Sequence, residues 1–268
     1  MAVQEQVNFR VTSKKSYCFV CIGKNFVAKH IVESLYRRGY KSKYARLYVA
    51  SRDFMHHDEE NLRQYKNRLK YDIETTTSAC PHTIFIFDEV DKMPVQLLDT
   101  ILFYIDFHTP NYAQPVDFRK TIFIFLSNTG ATDIVKISRD YHLNNVPRTK
   151  YNITLLQRAL ANAAFSEQGG LWHAPLINRH LVTFFIPFLP LERSHVRTCI
   201  QRQLAHEHRT NPQRYKISDE EIVDQVLDLI EFFPPDSLLY SVSGCKKVQQ
   251  KLDFILESNR LSDKKPDL

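Results

Sequence analysis

The chain has 268 residues, of which 43% are hydrophobic and 25% charged, enough for one or two globular domains and unlike collagenous or disordered chains. The longest apolar stretch covers residues 181–191 and contains prolines, whereas a membrane span needs roughly 18 residues, so no transmembrane helix is predicted. The net charge is +6, but 36 basic residues are interspersed with 30 acidic ones, and we therefore expect no nucleic acid partner.

Glycine and cysteine usage limits the kinds of site that the chain can contain. Only 6 glycines occur, which excludes a phosphate loop built from several glycines. The 5 cysteines lack zinc-ribbon spacing, and whether Cys199 pairs with Cys245 depends on the cellular compartment. Residues 1–15 have no apolar core of a secretory signal, and read alone they predict a cytosolic protein.

The N-terminal third predicts two helices and a strand. Residues 24–38 carry apolar side chains at helical spacing and are followed by Gly39, a common helix stop. Residues 45–50 form a short predicted strand, and residues 58–75 are long enough for a second helix. By contrast, residues 10–17, with the sequence RVTSKKSY, make a poor buried strand.

The middle of the chain contains two continuous apolar runs. TIFIF at 83–87 and TIFIFL at 121–126 are typical of strands buried in a parallel sheet. A helix is predicted between them over residues 94–107, and a third apolar strand over residues 181–187. This alternation indicates an α/β fold with a parallel sheet.

Only helical patterns follow Pro190, where we place a domain boundary. Ser218 and Glu221 form the signature of a capping box for one helix, and a last helix is predicted over residues 244–256. The predicted organisation is an atypical N-terminal segment (1–22), an α/β nucleotide-binding domain (23–190), a small helical domain (191–256) and a flexible tail (257–268).

The strongest local signal is the acidic pair Asp88 and Glu89, directly after the first apolar run. Ligands of parallel sheets bind at the carboxyl ends of the strands. There, Asp88 can hold Mg²⁺ and Glu89 can orient or deprotonate a water molecule. The alternative is that Asp88 only caps the next helix.

Asn128 follows the second apolar run in an equivalent position. If the two strands are neighbours, Asn128 lies beside Glu89, where its amide can fix a water molecule or a γ-phosphate. An isolated Ser-Asn pair after a strand is usually turn chemistry. Together with the acidic pair, Asn128 favours a nucleotide hydrolase.

Gly23, Lys24 and Asn25 open the first predicted helix and so place an ammonium at a helix N-terminus, as in a phosphate cradle. The pattern G-x-x-x-x-G-K-[ST] would have a glycine at position 18 and a hydroxyl at position 25, where this chain has Cys18 and Asn25. The predicted loop is filled by bulky residues, namely Phe19, Val20, Cys21 and Ile22.

Several segments together resemble the torsin family of AAA+ ATPases, relatives of the Clp-type unfoldases. These segments are GKNFV at 23–27, IFIFDEVDK at 84–92, FIFLSNTG at 123–130 and PFLPLE at 187–192. The resemblance covers most of the chain. It implies an AAA+ large domain, with a parallel sheet flanked by helices, and a small C-terminal helical lid domain.

The resemblance also assigns roles to the candidate residues. Residues 23–25 correspond to the end of the phosphate loop, where torsins have Asn in place of Ser or Thr. Asp88 corresponds to the Mg²⁺-associated carboxylate of Walker B, Glu89 to the water-activating carboxylate, and Asn128 to sensor 1. The implied cofactors are ATP and Mg²⁺.

In the small domain, SGCK at 243–246 resembles the torsin sensor-2 motif. This implies that Lys246 reaches the γ-phosphate, whereas without the resemblance Lys246 is a solvated lysine at a helix start. The resemblance further implies that Cys199 pairs with Cys245 and reports redox state to the lid.

One expected residue is missing. Aligning residues 176–179, LINR, with the Clp-type relatives puts His173 where an arginine finger would stand. Such an arginine contributes about 10³ to 10⁵ in rate, so the chain alone should hydrolyse ATP poorly. Torsins borrow the arginine from a membrane-anchored activator, which the resemblance implies as a partner beside other torsin subunits. Arg179 is an internal alternative.

By resemblance, the chain works in the lumen of the endoplasmic reticulum and nuclear envelope, although residues 1–22 depart from the torsin pattern. The glycosylation sequon at Asn152 agrees with a luminal location. The leading hypothesis is an ATPase that remodels a protein substrate. The alternative is a non-catalytic torsin-like interaction protein, or an incomplete variant, with a defective phosphate loop. An unrelated P-loop NTPase would not explain the SGCK and PFLPLE segments.

Overall fold

The structure is a computed structural model that describes residues 15–20, 23–106, 116–211 and 215–260. The chain divides into two compact units, and the division falls between Phe188 and Leu189. The first unit is an α/β unit that contains a five-stranded sheet, and the second is mainly helical.

The sheet of the first unit is parallel and has the strand order β2-β3-β4-β1-β5. Its strands β3 and β4 are the two apolar runs, and all four residues 84–87 are fully buried. This confirms the predicted α/β class. The strands are β1 (Lys15–Val20), β2 (Ala45–Val49), β3 (Ile84–Asp88), β4 (Ile122–Ser127) and β5 (Phe184–Pro187).

Strand β1 corrects the interpretation of the N-terminal segment. Residues 10–17 were expected to make a poor strand, and residues 19 and 20 to lie in the phosphate loop. Instead, β1 lies between β4 and β5, with Lys15 paired to Ile122 and Val20 to Ser127. Parallel pairing on both sides gives β1 the backbone hydrogen bonds of a strand, although its sequence pattern did not predict one. Residues 10–14 and 21–22 lie outside the described residues.

Helices surround this sheet. They are α1 (Lys24–Leu35), α2 (Ala50–Asp53), α3 (Glu59–Ala79), α4 (Leu102–Ile105), α5 (Ala131–Leu143), α6 (Ile153–Ser166) and α7 (Pro175–Asn178). The helix predicted over residues 94–107 is largely replaced by a 3₁₀ turn at Leu98–Ile101 followed by α4. The cause is the backbone of Gln96, whose positive φ of 68° is incompatible with a continuous α-helix.

The two faces of β3 and β4 carry different side chains. On one face, Phe85 stacks on Phe123 and Phe87 on Phe125, each pair with ring centroids 5.6 Å apart. The opposite face is aliphatic and packs on α1 through Ala28 and Val32. Its residues from the two strands are Ile84, Ile86, Ile122, Ile124 and Leu126. Burial of both faces fixes the register, because a slip by one residue would exchange them.

The second unit is built from three helices and a short antiparallel ribbon, and its core is aliphatic. Its elements are α8 (Arg193–Thr210), α9 (Asp219–Asp228), β6 (Phe232–Phe233), β7 (Tyr240–Ser241) and α10 (Val248–Ser258). Residues that pack together here include Val196, Ile200 and Leu252. The last helix begins at Val248 instead of residue 244, since Gly244 adopts a positive φ of 58°.

Within the described residues, no helix combines the length and the apolar composition that crossing a membrane requires.

The capping box at the start of α9 is confirmed and gives a stability prediction. The Ser218 Oγ accepts the Glu221 N–H, and the Glu221 carboxylate accepts the Ser218 N–H at 2.9 Å. Ser218→Ala should lower the free energy of unfolding by about 1 kcal/mol, measured by urea denaturation. The control is Ser237→Ala, at an exposed position of the same unit. Equal midpoints for the two variants would contradict the prediction.

Candidate nucleotide site

The predicted site residues of the first unit lie at the carboxyl edge of the sheet. Asp88 is the last residue of β3, and Glu89 follows it. Asn128 directly follows β4, the neighbour of β3. Strand β1 lies on the other side of β4, and the helix that follows it along the chain, α1, begins at Lys24.

The start of α1 provides a positive environment. Gly23 has a φ of 97°, which favours glycine, and as the N-cap residue it has no side chain with which to cap the amide groups that follow it. Lys24 is only 8% exposed, and its ammonium donates to the Asn128 Oδ1. An uncapped helix N-terminus next to a buried ammonium is suited to bind an anion such as a phosphate group.

Asn25 and Asp88 form the second pair of the site. The Asn25 Nδ2 donates to the Asp88 Oδ2, and the Asp88 Oδ1 accepts the Glu89 N–H at 2.9 Å. Asp88 therefore points at the start of α1, and the following 3₁₀ turn has no side-chain cap. This geometry differs from the alternative in which Asp88 caps the next helix.

The oxygen atoms of Asp88 and Asn25 fit a Mg²⁺ ion. Mg²⁺ prefers oxygen ligands, keeps several waters and typically takes one or two carboxylates beside substrate phosphates. No group of three or more His, Cys, Asp or Glu side chains that could hold a metal occurs among the described residues.

Glu89 has hydrogen-bond partners outside this group. Its backbone is left-handed, with a φ of 57°. One carboxylate oxygen accepts the Lys92 ammonium at 2.8 Å, and the other accepts the Ser51 N–H at 3.3 Å. The hydrogen bond from Lys92, followed by that from Ser51, lowers the pKa of Glu89 below its ordinary value. Glu89 is therefore ionised at neutral pH.

Strands β3 and β4 are neighbours, as the prediction that Asn128 lies beside Glu89 requires. The hydrogen bonds of Asn128 are to Lys24 and to Asp91, a residue that sequence reasoning missed. The Asp91 carboxylate accepts the Asn128 N–H at 3.0 Å and the Ser127 hydroxyl at 3.3 Å. The sequence does show a third acidic residue here, since Asp91 follows the acidic pair 88–89 after one intervening residue, Val90.

A double glycine packs against the turn that follows Glu89. The Gly170 N–H donates to the Val90 carbonyl at 3.0 Å. A Cβ added at Gly170 would lie 2.9 Å from the Val90 carbonyl oxygen and 2.8 Å from the Met93 Cβ. Only glycine allows this approach, so residue 170 helps to fix the backbone of the acidic turn.

The segment after this glycine carries His173, at the place predicted for an absent arginine finger. The His173 ring packs edge-on against Phe165, with centroids 4.4 Å apart, and its backbone has a φ of 49°. Arg179, the internal alternative, lies 3.8 Å from the Asp106 carboxylate.

The remaining predicted residues belong to the second unit. Cys199 and Cys245 form a disulfide that joins α8 to the turn before α10. Lys246 comes next in that turn and is exposed, with its backbone N–H donating to the Ser243 carbonyl at 3.2 Å. The structure thus brings together Lys24, Asn25, Asp88 and Asn128, whereas Lys246 lies in the other unit.

The fold of the chain is similar to that of solved Hsp104 structures. It resembles the S. cerevisiae Hsp104-ADP complex, with a TM-score of 0.55 at 17% identity over 91% of this chain and 40% of that chain. A closed-state reconstruction of Hsp104 with ATPyS and FITC casein has a TM-score of 0.54 at 16% identity, over 92% of this chain and 39% of that chain. At these identities the likeness shows the fold alone.

Sequence comparisons give the family. The model described as "Torsin" matches residues 16–87, and "Torsin-1A, C-terminal domain" matches residues 191–255. A torsin-like protein of Caenorhabditis elegans is 38% identical over 87% of this chain, and one of Drosophila melanogaster is 31% identical over 86%. The chain belongs to the torsin family, as its motifs predicted.

The extent of these matches adds two facts. The first family match begins at residue 16, so residues 16–22, set aside above as atypical, belong to the torsin-like region. The matches cover 63% and 66% of the lengths of the two relatives.

The tight contact at Gly170 is testable. Gly170→Ala should lower the free energy of unfolding by about 1–3 kcal/mol, because the added methyl group overlaps the backbone of the acidic turn. Urea denaturation measures the change, and Gln168→Ala, at an exposed position two residues earlier, is the control. If Gly170→Ala and the control have the same free energy of unfolding, the close contact at Gly170 does not stabilise this turn.

Proposed function

We propose that this chain is a torsin-like ATPase that binds Mg-ATP, hydrolyses it with the help of a partner, and uses the energy to remodel a protein substrate. Membership of the torsin family and the AAA+ fold support the class. The observation that carries the proposal is the meeting of Lys24, Asn25, Asp88 and Asn128 at one edge of the sheet.

Phosphate binding would depend on the start of α1. The amides of the first helical turn and the buried Lys24 ammonium offer the favourable charge. Asp88 and Asn25 would hold Mg²⁺, which, when bound, neutralises charge on the phosphate oxygens.

Glu89 would orient the attacking water and accept its proton. In the structure Lys92 stabilises the ionised carboxylate, and a lowered pKa makes Glu89 a weak base. Breaking the ion pair with Lys92 would raise the basicity of Glu89. The present contact therefore favours slow hydrolysis by the chain alone.

A partner would supply what this chain lacks. His173 cannot replace the fixed charge of an arginine finger, and Arg179 is paired with Asp106. We therefore include in the proposal a membrane-anchored activator that donates an arginine, and other torsin subunits. Lys246 would act as sensor 2, and the neighbouring disulfide between Cys199 and Cys245 as a redox-sensitive element.

We also propose the lumen of the endoplasmic reticulum and nuclear envelope as the location. Disulfides persist in oxidising compartments, and the disulfide between Cys199 and Cys245 supports this location.

Lys24→Ala tests nucleotide binding. A ligand at 100 times its Kd stabilises a protein by about 2.7 kcal/mol, so Mg-ATP should raise the melting temperature of the wild type. Lys24→Ala should lose most of this shift, because the buried ammonium is gone. Lys29→Ala, on the exposed side of the same helix, should keep it. A folded wild type without any shift would instead support a non-catalytic interaction protein.

Glu89→Gln tests hydrolysis. Replacing the carboxylate removes the base but keeps the shape, so single-turnover hydrolysis of radiolabelled ATP should fall about 100-fold or more while ATP binding is retained. Glu59→Gln, an exposed carboxylate on α3, is the control for the change of charge. Equal rates for the wild type and Glu89→Gln would refute the proposed role of Glu89.

A further inference from the structure

Asp91 makes a set of hydrogen bonds that the proposed chemistry does not use. Its Oδ1 accepts the Asn128 N–H at 3.0 Å and the Ser127 Oγ–H at 3.3 Å. Its Oδ2 accepts the Asn128 Nδ2 at 3.4 Å. One carboxylate thus contacts both the backbone and the side chain of the residue that faces Lys24.

These contacts select one orientation of the Asn128 amide. A carboxamide has a donor end and an acceptor end, whereas a carboxylate only accepts and an ammonium only donates. With Asp91 on one side and Lys24 on the other, the amide nitrogen faces Asp91 and the oxygen faces Lys24. The reverse orientation would place two donors together and two acceptors together.

We propose that Asp91 is a positioning residue that fixes the Asn128 amide, with its oxygen toward Lys24, for ATP hydrolysis. This inference rests on the proposed function of the site. Asp91 acts through Asn128 and does not touch the nucleotide itself. Its own backbone is held by the double glycine, since a Cβ at Gly169 would lie 2.8 Å from the Asp91 carbonyl oxygen.

Asp91→Asn tests the inference, because it keeps the shape and reverses the polarity of one contact. The carboxamide oxygen introduced at position 91 can still accept the Asn128 N–H. The carboxamide nitrogen introduced there then faces the Asn128 Nδ2, which favours a flipped Asn128. We expect the single-turnover rate of ATP hydrolysis to fall about 10- to 100-fold. The affinity for ADP should stay within about twofold of the wild type. Asp133→Asn, an exposed carboxylate on α5, is the control.

A double-mutant cycle separates positioning from a general structural role. If Asp91 acts through the Asn128 side chain, adding Asp91→Asn to Asn128→Ala lowers the rate no further. The inference is overturned if the fold losses in hydrolysis rate of the two single variants multiply in the double variant. So does an Asp91→Asn variant that loses ADP binding in parallel with ATP hydrolysis.

A measurement on the wild-type chain does not depend on the folding of Asp91→Asn. In NMR spectra, the Asn128 side-chain amide is assigned by its absence in Asn128→Ala. We expect nuclear Overhauser contacts from its amide protons to the Asp91 methylene group. Contacts to the Lys24 side chain instead would show the reverse orientation and overturn the inference.

The outcomes distinguish this inference from the proposed function. A wild type that neither binds nor hydrolyses ATP overturns both. A wild type that hydrolyses ATP at the same rate as Asp91→Asn overturns only the role of Asp91. If Asp91→Asn lowers the rate in the wild-type background but not in the Asn128→Ala background, the result supports both the proposed function and the role of Asp91.

Discussion

The parallel pairing of β4 with β1 on one side and β3 on the other is the constraint on which the site depends. Val20 is in register with Ser127, and Phe87 with Phe125, so the three strands end at the same edge of the sheet. Asp88 and Asn128 consequently lie at that edge. The register is held by the separate aromatic and aliphatic faces, which a slip by one residue would exchange.

At that edge, each of three carboxylates has a different partner. Asp88 accepts a hydrogen bond from Asn25, and Glu89 accepts from Lys92 and Ser51. Asp91 accepts from Ser127 and Asn128, so each of the three negative charges has its own donors. The buried Lys24 is the cation that faces this acidic group through Asn128. Three carboxylates with separate hydrogen-bond partners therefore lie within four consecutive residues, 88–91.

Local patterns predicted the parts of the fold that local physics decides. The strand that ends at Asp88 and the capping box at Ser218 follow from burial and backbone hydrogen bonding over a few residues. Strand β1 was missed because its pairing, and not its own sequence pattern, determines it. The break at Gln96 arises from a backbone conformation that no helical periodicity reveals. Asp91 was missed because its partner Asn128 is distant in sequence.

Lys24, Asn128 and Asp91 form a hydrogen-bonded chain whose two end members each have a fixed hydrogen-bonding polarity. The lysine can only donate and the aspartate can only accept, so together they leave the amide between them a single orientation. Substitution of either Lys24 or Asp91 removes one of the two hydrogen bonds that select this orientation of the Asn128 amide. The three residues therefore act as a unit, and the effects of substitutions within it should not be additive. Gly170 is outside this unit, because it acts on the backbone of the turn and not on the polarity of its side chains.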